Sequence, residues 1–188
     1  MNKTKRKIFE TSMKLFAEKG YDATSIEEIT ATVGVAKGTL YYHFSSKEEI
    51  FNFLVEEGMK LLKNSIEIKT AKKESYMDKI RAVVLIQIKV IVKYENLISI
   101  VLSQIWGTDA RSKTCKGYVF EYIKTIEKIV EEGIKRGEII DLDPEIIATE
   151  VFGLTCSSLI YKMKRGEEID VQKLFTEMDK TVIKMLKK

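Results

Sequence analysis

The 188-residue chain has one proline, one histidine, one tryptophan and two cysteines, and each shortage removes a class of protein. With a single proline, ten glycines and no regular alternation of apolar and polar residues, it offers little from which to build a sheet. An all-α chain is expected. Cys115 and Cys156 lie far apart and in no C-x-x-C spacing, so neither a disulfide framework nor a zinc site is indicated, and buried reduced thiols are the plain reading. His43 is the one histidine, so a Ser-His-Asp triad, a His-rich metal centre and most imidazole acid–base chemistry would have to run through it. There is no G-x-x-x-x-G-K-[ST] loop and no G-x-G-x-x-G after a strand, and the carboxylates are scattered at helical spacing among lysines, as on solvated faces. No catalytic residue, metal site or cofactor is expected. Without a run of eighteen apolar residues, and with a basic, polar N-terminus lacking an apolar leader, neither a membrane span nor a secretion signal is indicated, and the cytoplasm is the default.

What is present is a core-forming chain, 45% apolar, with 32 basic and 28 acidic residues, a net charge of +4. That balance is too mild to announce nucleic acid by itself. Its distribution says more. Lys3, Lys5, Arg6 and Lys7 crowd cations into the first residues, where they form either an arm able to reach phosphates or a frayed, solvated terminus.

The densest information lies between Thr24 and Lys47, T-S-I-E-E-I-T-A-T-V-G-V-A-K-G-T-L-Y-Y-H-F-S-S-K. Thr24 can cap a helix carrying Ile26, Ile29 and Val33 on its apolar side, with Glu27 three residues on at capping-box spacing. Gly34 stands where a left-handed residue ends that helix. A second helix, Ala36 to Phe44, turns Ala36, Leu40 and Phe44 inward. Its other side is centred on Gly38 and Tyr42, flanked by Thr39 and Tyr41, with Lys37 and His43 at the margins. Hydroxyl, ammonium and imidazole donors around a bare glycine make a poor solvent face and a good one for phosphates and base edges. The pattern is a helix-turn-helix with a recognition helix.

G-Y-D-A-T-S-I-E-E-I followed by V-G-V-A-K-G-T-L-Y-Y-H-F-S-S-K-E-E resembles the DNA-binding domain of the TetR family of bacterial transcriptional regulators, over about the first quarter of the chain. Two departures stand out: Ala36 where a capping serine is usual, and Thr30 where the family has a small alanine. The resemblance implies a three-helix DNA-binding domain over 1–46 and a larger helical effector-binding and dimerisation domain over 47–188, about nine helices in all. It also implies a double-stranded operator as partner, touched by Lys37, Gly38, Thr39, Tyr41, Tyr42 and His43, together with Lys47, Thr24, Ser25, Lys3 and Lys5.

The other helices follow from periodicity and caps. Helix 1, about Lys3 to Lys19, turns Ile8, Ser12, Leu15 and Phe16 inward and stops at Gly20. Helix 4 is capped by Ser46, carries Ile50, Phe51 and Leu54, and connects the two domains; 66–75 is either its tail or a loop. Helix 5, about Tyr76 to Tyr94, is apolar nearly all round, and helix 6 spans about Asn96 to Trp106. A polar break, T-D-A-R-S-K-T, precedes helix 7, about Lys116 to Arg136. Asp143 and Pro144 open helix 8, which ends near Lys164, and Asp170 opens helix 9, Val171 to Lys187.

The resemblance further implies a small-molecule effector and a homodimer. Met59, Leu62, Met77, Trp106, Tyr118, Tyr122 and Phe152 are the candidates for lining an effector pocket, although such residues at helical spacing also make ordinary core. Helices 8 and 9 are the candidate dimer interface, through Gly153, Cys156, Leu159, Ile160, Leu174, Phe175, Met178 and Val182; the alternative is that they complete a monomeric core. The expected function is a homodimeric repressor released from a palindromic operator by a small apolar or aromatic effector. Two other readings stand beside it: a helix-turn-helix architectural or protein-interaction factor without a ligand, and a helical enzyme that would need a buried carboxylate pair.

Overall fold

In the computed structural model residues 2–187 are described, and among them the chain forms nine helices and no strand. They are α1 (Lys3–Lys19), α2 (Ile26–Val33), α3 (Lys37–His43), α4 (Lys47–Thr70), α5 (Tyr76–Lys93), α6 (Glu95–Gln104), α7 (Ala110–Lys135), α8 (Pro144–Lys164) and α9 (Val171–Leu186). They group into two compact units. One comprises the chain up to Met59 together with Tyr94–Tyr118, and the other Lys60–Lys93 with the chain from Val119 onward. The first unit therefore holds more than the helix-turn-helix, since it includes α6 and the start of α7.

In the first unit α1 packs against α2, α3 and α6. Its inward face is Ile8, Ser12, Leu15 and Phe16, as the periodicity predicts. Asn2 caps it, its Oδ1 accepting from Lys5 N at 2.8 Å, and the helix begins at Lys3. The basic segment is thus the first turns of a helix and not an arm. Phe16, Tyr21 and Phe51 form a ring cluster with centroids 5.3–6.2 Å apart. Where α6 crosses α4, a Cβ on Gly58 would stand 2.1 Å from Leu97 Cδ2, so the approach requires glycine unless Leu97 moves.

Two boundaries differ from expectation. The cap of α2 is Ser25, whose Oγ accepts from Glu28 N at 3.0 Å, and not Thr24. Thr24 is turned inward instead, 1% exposed, with Oγ1 donating to Gly20 O at 2.8 Å. Helix α7 begins at Ala110 and takes up most of the supposed polar break. Asp109 caps it by accepting from Ser112 N at 2.8 Å, and that bond, with Arg111 beside it, draws the Asp109 carboxyl down to about 2. The segment after residue 66 is both helix and turn, since α4 ends at Thr70.

In the second unit α5 is central, packing against α8 and α9. It buries Ile80, Val83, Val84, Ile86, Gln87, Ile88 and Ile91. Glu138 serves as its cap from a distance, accepting from Tyr76 N at 2.7 Å and Ser75 Oγ at 3.0 Å, which lowers the Glu138 carboxyl below its ordinary value. Arg81 ties α5 to α9, donating to Asp179 at 3.0 Å and to its neighbour Asp78 at 2.7 Å.

Asp143 and Asp170 cap α8 and α9 as the sequence predicts. Helix α8 is long and apolar enough to cross a membrane by length and composition, but its inner face of Ile147, Ala148, Val151, Thr155, Cys156 and Leu159 is buried within this unit. That burial corrects half of the expected interface. Leu159 and Val182 are at most 1% exposed, and Cys156 and Met178 are also buried inside the protomer. Apolar periodicity records that a face is covered, not by which chain. Gly153 is exposed, and Ile160, Leu174 and Phe175 are half-buried. The outward side of α8 also carries Ile146 and Tyr161, 57% and 64% exposed.

Candidate nucleic-acid interface

The α2–α3 turn is made by Gly34 in the left-handed region (φ 77, ψ 40), which lets the amides of Gly34 and Val35 both donate to Thr30 O, at 2.9 and 3.0 Å. Thr30, in the place of the usual alanine, is accommodated by donating its own hydroxyl to Glu27 O at 2.9 Å. Helix α3 is anchored inward by Leu40 and Phe44, each at most 1% exposed. Ala36 does not join them. It is the exposed N-cap of α3 and makes no side-chain cap bond, so the first amides of that helix are left for an outside acceptor.

The outward face has the expected composition. Tyr42 is 84% exposed and Tyr41 45% exposed. Lys37 and Gly38 are exposed beside them, and Thr39 and His43 are half-buried at the edges. The rings of Tyr42 and His43 meet edge to face at 5.0 Å. A Cβ on Gly38 would meet nothing within 4 Å, so no atom of this chain explains a glycine there. Lys37 is held across the helix pair by Glu27 at 2.6 Å, and that bond raises its pKa. Both partners are more than half exposed, so the pair is weak and a phosphate can displace the carboxylate. Ser25 is exposed at the start of α2, where its Oγ is taken up by the cap.

Three further candidates are corrected. Thr24 is buried and offers no side-chain atom to a groove. Lys47 points its ammonium back into the fold, donating to Tyr21 O and Thr24 O at 2.8 Å each and lying 4.2 Å from the Tyr21 ring centre. It closes the α1–α2 turn, because three inward carbonyls need a donor more than an exposed helix start needs a cation. Lys5 lies over the rings of Phe44 and Phe53, at 4.8 and 4.5 Å, and so supports α3 from behind. Lys3 remains exposed on the first turn of α1. Sequence reading also passed over Arg111, which stacks 3.9 Å from the Tyr21 ring centre and bonds Asp22 at 3.0 Å. It lies in the first turn of α7, in a stretch whose polar residues carry no apolar period.

The seven candidate effector residues divide between the units. Met59 is buried and Tyr118 half-buried in the first, where Trp106 is 90% exposed just past the end of α6. In the second, Leu62 is buried, Met77 is half-buried, and Tyr122 and Phe152 meet edge to face at 5.7 Å. Beside them sits Gln87, whose amide nitrogen and oxygen, like Tyr122 Oη, find no hydrogen-bond partner. Burial pushes the Tyr122 phenol well above its ordinary pKa, and the nearby Gln87 amide opposes this without reaching bonding geometry. Gln87 was visible in the sequence as the one uncharged polar residue in V-V-L-I-Q-I-K-V-I-V.

A short helix beginning at Lys37, a glycine-closed turn and an outward face of hydroxyls and cations define a helix-turn-helix DNA-binding protein. Residues 8–54 match the family model described as bacterial regulatory proteins, tetR family. The negative transcriptional regulator IcaR of the biofilm operon icaADBC in Staphylococcus epidermidis is 46% identical over 52 residues, 28% of each chain. Matches to the curated relatives span between 17% and 40% of their length. A putative fatty acid metabolism regulator of Clostridium perfringens is similar along the whole chain, at 31% identity over 95% of this chain and 97% of that one, with a TM-score of 0.90. The regulator AibR, in complex with isovaleryl coenzyme A and operator DNA, shares the fold at 20% identity over 96% of this chain and 98% of that one, TM-score 0.79. The chain belongs to the TetR family of bacterial transcriptional regulators.

Proposed function

We propose that the protein is a homodimeric repressor that docks the face of α3 in successive major grooves of a palindromic operator and is released by a small-molecule effector. The observation that carries the reading is that face: Tyr42 at 84% exposure next to Gly38, whose missing side chain nothing in the chain requires. Lys37 and Ser25 take phosphate oxygens, while Thr39, Tyr41, Tyr42 and His43 reach base edges and sugars. One short helix reads only a few base pairs, so two heads about 34–36 Å apart supply the rest of the specificity.

The dimer is supported by α8, whose outward side presents Ile146 and Tyr161 around Gly153, which like Gly38 and Gly117 has no neighbour within 4 Å of a Cβ. A mid-helix glycine with no reason inside its protomer suits the close approach of another helix. Ile160, half-buried and two turns beyond Gly153, lies on the same side of α8. Repression is the role named for IcaR, and AibR, of the same fold, is in complex with isovaleryl coenzyme A and operator DNA. In this chain the effector reading is supported by Gln87 and Tyr122, buried polar groups that a ligand in the helical core of the second unit could satisfy, with Phe152 against its apolar body. The effector shifts the population of two states by its differential affinity for them. We place the protein in the cytoplasm, where its DNA is.

Sedimentation of the protein with DNA from upstream of its own gene tests the reading. Two subunits per operator duplex are expected, and Gly153→Leu should leave a folded monomer with weakened operator binding. Binding of one subunit per site with undiminished affinity would refute the dimer.

A further inference from the structure

Away from α3 and from the Gln87–Tyr122 core, the second unit carries a cleft of about 420 Å³, formed by the end of α4, the outward side of α5 and the start of α9. Its floor is apolar: Ala82, Leu85 and Ile86 from α5 and the half-buried ring of Phe175 from α9. Its rim is cationic. Lys69, Lys73 and Lys89 stand around it with no carboxylate partner among the described residues, and Arg81 lies between Asp78 and Asp179. Three lysines and one arginine against two aspartates leave the rim at +2. Three ammoniums thus border one apolar floor.

We infer that this cleft binds an organic anion carrying two or more negative charges beside an apolar or aromatic body, the chemistry of a nucleotide diphosphate. A single carboxylate would answer one or two of the lysines, whereas a diphosphate presents enough acceptor oxygens for all three, and lysine takes phosphate as a mobile point charge. The floor covers the organic body: Phe175 offers a ring face for stacking, and Leu85 and Ile86 offer aliphatic contact. The volume falls within the range of about 300–1,000 Å³ usual for small-ligand sites. The inference rests on the reading that this unit takes a small molecule, and adds the charge and location of one that it takes.

Titration calorimetry on the full-length protein in about 150 mM salt tests it, with coenzyme A, ADP, pyrophosphate and palmitate as separate probes. Coenzyme A and ADP should bind, pyrophosphate at least tenfold more weakly because it leaves the floor uncovered, and palmitate more weakly still at this cleft. Lys73→Glu/Lys89→Glu should weaken nucleotide binding at least tenfold with an unchanged melting temperature, and Phe175→Ala should weaken ADP but not pyrophosphate. No binding of either nucleotide at millimolar concentration, or equal affinity in the double variant, would overturn the inference. Equal affinity for pyrophosphate and ADP would overturn it as well, by reducing the cleft to a patch of charge. Operator release, followed separately by fluorescence anisotropy, distinguishes the two readings. Nucleotide binding that leaves the operator bound keeps the cleft and removes its ligand from the regulatory account.

Discussion

Replacing Gly38 with alanine separates the energetics of folding from those of DNA recognition, because the two respond with opposite sign. A Cβ at this position meets no heavy atom within 4 Å, and Gly38 is not among the residues at positive φ. The methyl group therefore costs nothing inside the protein, and the helix gains from the lower backbone entropy of the unfolded chain. An interior Gly→Ala change is worth about 0.8–1 kcal/mol. Gly38 is the second residue of α3, so about 0.5 kcal/mol is expected. At this chain length that raises Tm by about 1–2 °C. Against DNA the same methyl group forces α3 outward or the nucleotide sideways, an overpacking cost of about 1–3 kcal/mol. This corresponds to roughly 5- to 150-fold in Kd. Calorimetric melting and fluorescence anisotropy on the operator measure the two effects. Gly117→Ala on α7, where a Cβ also meets nothing, is the control: it should stabilise similarly and leave operator affinity alone. A Gly38→Ala protein that binds operator as tightly as the parent would refute the assignment of this glycine to the interface. One that melts lower would refute the description of α3 itself.

Other substitutions test the corrected roles. Gln87→Leu should stabilise the protein by about 1–3 kcal/mol in urea unfolding, because it removes two buried polar atoms without partners; destabilisation would show that the amide is satisfied in solution. Lys47→Met should lose about 1.5–3 kcal/mol of stability through its charged hydrogen bonds to the α1–α2 turn. Once the variant is folded, its operator binding should keep the parental salt slope, since a phosphate contact would have contributed about one unit. Arg111→Ala should cost about 1 kcal/mol, mostly from the lost stacking on Tyr21, since Asp22 is 87% exposed and its ion pair is weak; an unchanged melting curve would count against that contact.

The parts of the fold legible in the sequence are those where one local rule decided. Gly34, Pro144 and the caps Asp143 and Asp170 fixed helix ends because backbone conformation and unsatisfied amides admit few residues there. The inward stripe of α1 and the outward face of α3 followed from helical period alone. Where two residues could serve equally, tertiary partners chose. Thr24 and Ser25 are both competent caps, and the choice fell to Ser25 because the Thr24 hydroxyl had buried carbonyls to bond. Asp109 opened α7 earlier than its polar residues suggested, since a charged face is as helical as an apolar one when its other side is covered. Periodicity also could not tell core from interface on α8 and α9, nor foresee that Trp106 would face water while Gln87 was buried.

The central claim is that the outward face of α3 holds operator DNA. Its most direct test is the operator affinity of Tyr42→Ala and Lys37→Ala at physiological salt, each beside its melting temperature. Tyr42 is 84% exposed and the Lys37–Glu27 pair is solvent-exposed, so neither change should disturb folding. Loss of specific binding in both variants, with parental melting temperatures, is the result predicted. Parental affinity in both would contradict the account.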